Sequence, residues 1–282
     1  MNGLIAAVVL TALSPTDPTT IQDAINALPP EGGEIKLTCG TFTLPRIDLK
    51  DDVALVGSGP CTIVPGIRVQ KVHPNSDPND LRTYHVRIEN LTVDGRIGGG
   101  PYVIGIDLRK VNHSRVRNVE IRFVQTGVLI YQDASYNTLE DLTVYASVDC
   151  YEVLGGPDAS NQDDPNENTI RGGQCSSGTA ARVGVGLWVR DANDIKLFGG
   201  SFESLNIGIK LDTGAVGTAI YSPRLGDMNQ GIVLKLGSDK TGIFQLYNDG
   251  VDDDVGDPSI SPDPALSPSK YRRYGFPCPC AL

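Results

Sequence analysis

A chain of 282 residues allows one elongated domain or one domain with a tail, and its 32 glycines, 19 prolines and 6% aromatic residues suit short strands and tight turns better than a helical bundle. The formal charge of -10 argues against nucleic acid as a partner, because phosphate contacts need clustered Lys and Arg. The apolar run Leu4 to Leu13 is too short to cross a bilayer, so no membrane span is expected.

Leu4 to Leu13 also lacks the basic start of a secretory leader and reads as a strand that packs or pairs rather than a retained targeting remnant, although a rod of strands has no evident slot for it. Next comes an amphipathic helix. Ile21, Ala24, Ile25 and Leu28 recur on one helical face, and Thr19 with Gln22 has capping-box spacing. Pro29-Pro30 stops the helix, and Gly32-Gly33 turns the chain into the alternating strand Ile35-Lys36-Leu37. A helix this short needs its apolar face covered, so it reads as the lid on a stack of strands.

The run Asp17-x-x-Thr20-Ile21-Gln22-x-Ala24-Ile25-x-Ala27, then Gly32-Gly33-x-Ile35-x-Leu37, Gly40-Thr41-Phe42 and Val53-Ala54-Leu55-Val56-Gly57-x-Gly59, resembles the N-terminal cap of the pectate-lyase-like parallel β-helix superfamily. That superfamily includes phage tailspikes, polysaccharide lyases and glycosidases. The resemblance implies an all-β, right-handed parallel β-helix and leaves function open, since one fold hosts many activities.

Internal repeats point the same way. Ile88-Glu-Asn-Leu91-Thr-Val93, Val116-Arg-Asn-Val119-Glu-Ile121 and Leu139-Glu-Asp-Leu142-Thr-Val144 align without gaps at steps of 28 and 23, with weaker copies starting at Ile170, Ile195, Ile220 and Ile243. An interleaved series begins at Gly105, Gly127, Gly186, Gly208 and Gly231. Two strand series sharing one period mark a parallel solenoid. Two positions before the repeat starts stand Ser114, Asn137, Asn168, Asn193, Thr218 and Thr241, which read as a hydrogen-bonded ladder along the axis rather than a carbohydrate-binding row. Nine or ten rungs at about 4.8 Å give a rod on the order of 45 Å.

The reading divides the chain into an apolar segment 1–16, a capped helix of strands 17–250, and a Pro/Asp-rich tail 251–282. Two polar insertions interrupt the rod, His73 to Arg82 and Gly155 to Glu167. Of the six cysteines, Cys39 and Cys61 lie 22 apart, about one rung. Stacking Phe42 over Ile63 instead puts Cys39 opposite Pro60, so both registers stay open. Cys150 and Cys175 are either a bridge or two buried thiols, and Cys278 and Cys280 close the chain. A bridge implies an oxidising compartment or a hyperthermophilic source.

For chemistry, the histidine element of the polygalacturonase pattern is missing, and Asn193-Asp194-Ile195-Lys196 is the nearest fragment of the rest. Arg87, Arg109, Arg115 and Arg117 with Asp94 and Asp107 form a candidate glycan-binding face, read against a solvated strand face with cross-rung ion pairs. Asp249, Asp252, Asp254 and Asp257 are candidate calcium ligands by composition, without EF-hand spacing, and no other cofactor is expected. The expected function is a non-catalytic structural or recognition protein of an extracellular, cell-surface or virion assembly, contacting polysaccharide and forming homo-oligomers through its termini. The alternative is a polysaccharide lyase or glycosidase acting on an acidic glycan.

Overall fold

Alternation at period two sends every second side chain of a strand to one side. Here it builds interior columns: Ile35, Leu55, Ile88, Val116, Leu139, Ile170, Leu197, Ile220 and Ile243 stack in one, all at most 3% exposed. The computed structural model describes residues 12–17, 20–69, 82–97, 104–156, 164–177, 182–235, 238, 241–244, 247–251, 260–262 and 272–274. These form a right-handed parallel β-helix with three strand faces per turn.

The first face stacks Gly33–Lys36, Val53–Val56, residues 87–89 and 115–117, Thr138–Glu140, Thr169–Arg171, Lys196–Phe198, Ala219–Tyr221, Gly242–Phe244 and Arg272–Tyr274. On the second face Val64, Val93, Ile121, Val144, Cys175, Phe202 and Leu225 line up inward. On the third, Ile47, Ile67, Ile106, Val128, Tyr151, Leu187, Ile209 and Ile232 do so. In the tail, Ile260–Pro262 and Arg272–Tyr274 pair in parallel with residues 232–234 and 242–244, so tail backbone continues the stack.

The lid is a helix, Ile21–Ala27, with Ile21, Ala24 and Ile25 buried. Its cap differs from the expected Thr19–Gln22 pair. Thr20 is the N-cap, and Asp23 closes the box by accepting from the Thr20 N–H while its own N–H donates to Thr20 Oγ1 at 3.1 Å. Gln22 is thereby free to dock the helix: its Nε2 donates to Asp48 O at 3.1 Å and its Oε1 accepts from Asp48 N at 2.9 Å. Lys50 Nζ donates to the carbonyl of Leu28 at 2.9 Å, answering one orphan acceptor at the helix end.

Leu13 does have a slot. It pairs in parallel beside Leu37, donating to Lys36 O and accepting from Thr38 N, at the N-terminal edge of the rod. Residues 4 to 11 lie outside the described residues.

The expected polar ladder holds at Ser114, Asn137 and Asn168 and then breaks. Ile170 pairs with Leu197 rather than Ile195, which shifts the register by two and places Ile195 at the ladder position. Asn193 belongs to a neighbouring column instead. Both disulfide candidates within the described residues form. Thr41 pairs with Ile63, so the 22-residue register wins and Cys39 meets Cys61 with Cα atoms 4.9 Å apart. Cys175 stacks on Val144, not on Cys150, yet Cys150 bridges to it from the corner of the previous layer at 6.0 Å. Cys278 and Cys280 lie outside the described residues.

Candidate functional site

Between the third face and the next turn of the first, the chain makes a short corner bounded by left-handed residues. Lys110-Val-Asn-His113, Asp133-Ala-Ser-Tyr136, Asp164-Pro-Asn-Glu167, Asp191-Ala-Asn-Asp194 and Gly214-Ala-Val-Gly217 are its successive copies, each with positive φ at its last residue. Asp, Asn and His tolerate this region better than most side chains. Backbone bonds then lock the layers: His113 N donates to Ser135 O, Tyr136 N to Asn166 O, Glu167 N to Asn193 O and Asp194 N to Val216 O, at 2.8 to 3.1 Å.

The result is two columns. Asn112, Ser135, Asn166 and Asn193 bridge one to the next, and Asn112 Oδ1 accepts from Ser135 N at 2.6 Å. Beside them, His85, His113 and Tyr136 stack at the turn, with the last two rings 4.8 Å apart and nearly parallel. Tyr136 is 46% exposed.

An open groove of about 580 Å³ follows this corner, lined by the amide column together with Arg82, Asp133, Tyr136, Asp164, Asp194, Val216 and Gly217. Its size suits a small-molecule or oligomer segment. Arg82 and Asp133 form an ion pair at 2.5 Å, and that hydrogen bond, working against desolvation, raises the guanidinium's proton affinity further. Asn166 Oδ1 is buried without a hydrogen-bond donor. The described chain stops at Val69 and Gly156 and resumes at Arg82 and Asp164, both in the groove lining. The groove itself gave no signal in the sequence, because its repeat of four residues is shorter than a strand.

The six charged residues expected on one face lie on three. Arg87, Arg115 and Arg117 share the first face, Asp94 is on the second, and Asp107 and Arg109 are on the third. Nor do the acids point freely outward: Asp94 is 3% and Asp107 9% exposed. Arg87 pairs with Glu34 and Glu89, Arg115 and Arg117 with Glu140, and Arg109 with Asp107. Burial would raise Asp94, but hydrogen bonds from Arg96 and Arg122 outweigh it and hold the carboxyl below its usual range. Asp107 goes the other way, raised by burial against the opposing charges of Arg109, Arg68 and Arg46. These are ion pairs both within a strand and across rungs.

Of the calcium candidates, Asp252, Asp254 and Asp257 lie outside the described residues, as does the side chain of Asp249. Among the described residues no cluster of three or more His, Cys, Asp or Glu side chains is placed to hold a metal.

A carboxyl pair missed in the sequence sits on the third face. Asp149 is 4% exposed, accepts from Val185 N at 2.9 Å, and hydrogen-bonds Glu152. Glu152 in turn accepts from Thr126 Oγ1 at 2.7 Å. Desolvation first, then the bond to Glu152 and its charge, push the Asp149 carboxyl up to about 7, against Val185 N–H and Lys210. Lys210 also lies 4.3 Å over the Trp188 ring and 3.0 Å from Asp212. The signal was Asp149-x-x-Glu152 at the start of the third-face segment, an odd spacing that strict period-two alternation would send to opposite sides.

No family model matches the sequence, and neither does any curated protein. Solved structures are similar in fold. The Streptococcus pneumoniae surface protein and adhesin PfbA superposes with a TM-score of 0.62 at 12% identity, covering 93% of this chain and 88% of that one. The gp42 tailspike of Acinetobacter phage vb_AbaP_AS12 gives 0.60 at 10% identity, covering 92% and 48%. ORF18 of Geobacillus virus E2 gives 0.50 at 14%, covering 80% and 54%. The chain spans about half the length of these two viral proteins. Identities this low speak to architecture alone: the chain is a right-handed parallel β-helix.

Proposed function

We propose that the protein is a glycan-recognising β-helix of an extracellular, cell-surface or virion assembly, and that the corner groove is its contact with sugar. One observation carries this reading. The column Asn112, Ser135, Asn166 and Asn193 offers similar polar groups once per layer, beside the exposed ring of Tyr136. A polymer that repeats along its own axis is the ligand such a column can match more than once. An adhesin and a phage tailspike share this fold. Arg82 holds Asp133 as an ion pair, which suits positioning better than proton donation.

The test is a binding panel of neutral, acidic and amino-sugar oligosaccharides by calorimetry, with Tyr136→Ala and Asn193→Ala. Binding weakened by about tenfold in either variant supports the groove. Undiminished binding in both would move the site elsewhere.

A second reading, hydrolysis or elimination on an acidic glycan, draws on Asp149, a carboxyl poised to hold its proton near neutrality as a general acid must. Its check is the appearance of new reducing ends or unsaturated-sugar absorbance that disappears in Asp149→Asn. The same proposal has the terminal segments joining copies of the chain into homo-oligomers. Light scattering on the full chain and on deletions of residues 1–14 and 251–282 tests that, and a monomeric parent would end it.

A further inference from the structure

We infer that His85 and His113 hold a divalent transition-metal ion of the kind that prefers imidazole, such as Ni²⁺, Cu²⁺ or Zn²⁺, with Asp52 as its outer-shell partner. Such a site stands whether or not the corner groove takes sugar. Asp52, His85, His113 and Tyr136 succeed one another at the corner, and all four have left-handed backbone, with φ between 54° and 60°. Backbone bonds fix their order: Asp52 N donates to Tyr84 O at 3.0 Å, His85 N to Asn112 O at 3.1 Å and His113 N to Ser135 O at 3.1 Å. The side chains therefore stand one above the other, layer by layer.

Asp52 Oδ1 lies 3.0 Å from His85 Nδ1. An ionised carboxylate only accepts, so in the neutral ring Nδ1 carries the hydrogen and Nε2 keeps its lone pair for a ligand. A carboxylate behind a ligating imidazole fixes the direction of that lone pair and makes it more basic. On the next layer His113 stacks on Tyr136, the rings 4.8 Å apart and 3° from parallel, and among the described residues its ring nitrogens make no hydrogen bond. A ring nitrogen about 2 Å from a shared ion on each side keeps two imidazole centres within about 6.5 Å of each other. The His85 and His113 centres are 6.0 Å apart. The His85 side chain is 61% exposed, so an ion reaches it directly from solvent. Two protein ligands are fewer than a structural zinc centre uses, so water completes the shell and the ion stays exchangeable. The chain's formal charge of -10 favours the approach of cations.

The experiment titrates the full chain with Ni²⁺ by calorimetry at about pH 7.5, where a free imidazole is neutral, with Mg²⁺ as the oxygen-preferring comparison. His85→Asn and His113→Asn each remove one ligand, since asparagine tolerates the left-handed backbone. Asp52→Asn removes the outer-shell carboxylate. Two control variants leave the site alone: His73→Gln, and Cys278→Ser combined with Cys280→Ser. Retained β-sheet dichroism is checked in every variant.

The expected result is saturable Ni²⁺ binding that weakens about tenfold or more in each histidine variant and about tenfold in Asp52→Asn. Both controls should bind like the parent, and Mg²⁺ should give no binding heat. With Cu²⁺ in place of Ni²⁺, the paramagnetic resonance spectrum should show coupling to two imidazole nitrogens. A parent that binds no Ni²⁺ overturns the site. So does binding that survives both histidine variants, or that disappears in either control. Mg²⁺ bound as tightly as Ni²⁺ overturns its imidazole character, and full affinity in Asp52→Asn overturns the outer-shell role.

Discussion

Asn168 lies over Asn137 inside the rod, its Oδ1 accepting from both the backbone N–H of Asn137, at 3.1 Å, and its Nδ2, at 3.0 Å. Asn168 Nδ2 donates in turn to Ala134 O at 2.7 Å, and Ser114 N donates to Asn137 Oδ1 at 3.0 Å. Two amides that would be costly in an apolar core are thus satisfied by each other and by the turns they hold.

Replacing Asn168 by Leu strands the Asn137 N–H and the Ala134 carbonyl in a site that is 0% exposed at residue 168. At about 1–3 kcal/mol for each unsatisfied group, the expected loss is about 2–6 kcal/mol, read as a lowered urea midpoint at unchanged slope. A loss below about 0.5 kcal/mol would mean that the ladder is ornamental.

Stability should also fall as pH rises through neutrality. The Asp149 carboxyl keeps its proton to about pH 7 in the fold, whereas the unfolded chain releases it near the ordinary value of 3.8. The folded state therefore binds the extra proton between these limits; its contribution is complete below the lower one and lost above the upper. Glu152 on the same strand, Thr126 from the layer before, and Val185 N–H and Lys210 from later layers face this group. A loss of a few kcal/mol between about pH 4 and pH 8 is expected from this group, measured as a difference from Asp149→Asn. Parallel pH curves for the two proteins would disprove it.

Cys39–Cys61 closes a loop of 22 residues at the capped end. Changing both to Ser should cost about 3 kcal/mol through the freedom returned to the unfolded chain. Denaturant curves with and without reductant should differ for the parent, and that difference should shrink in the double variant. Equal shrinkage in a Cys150, Cys175 double variant would show the two bridges contributing alike.

Ile25, on the inner face of the lid helix, is 1% exposed. Ile25→Asp should cost several kcal/mol and, by lifting the lid, uncover strand edges that pair with other chains. Thermal unfolding with light scattering is the readout. A variant as soluble and heat-resistant as the parent would mean that the lid covers nothing.

What the sequence determined by itself was the rod. Period-two alternation at Ile88, Val116 and Leu139, repeated at one rung spacing, leaves few ways to bury the apolar column other than stacking layers, and the Ile21–Leu28 stripe before a Pro-Pro stop supplies the lid. Local pattern, however, says only which side chains point in or out, not where the chain turns. The turn between Val93 and Ile106, or between Ile121 and Val128, decides which face each charge occupies, so Asp94, Asp107 and Arg115 share a region of sequence and not a surface. The same reason moved Asn193 out of the interior ladder: Ile195 and Leu197 are both apolar at an allowed spacing, and only pairing of Leu197 with Ile170 chose between them. The groove was decided last of all. Asp133, Asp164 and Asp194 are separated by about a rung each in sequence, and they meet along one edge because left-handed residues such as Tyr136 and Glu167 bend every layer at the same corner.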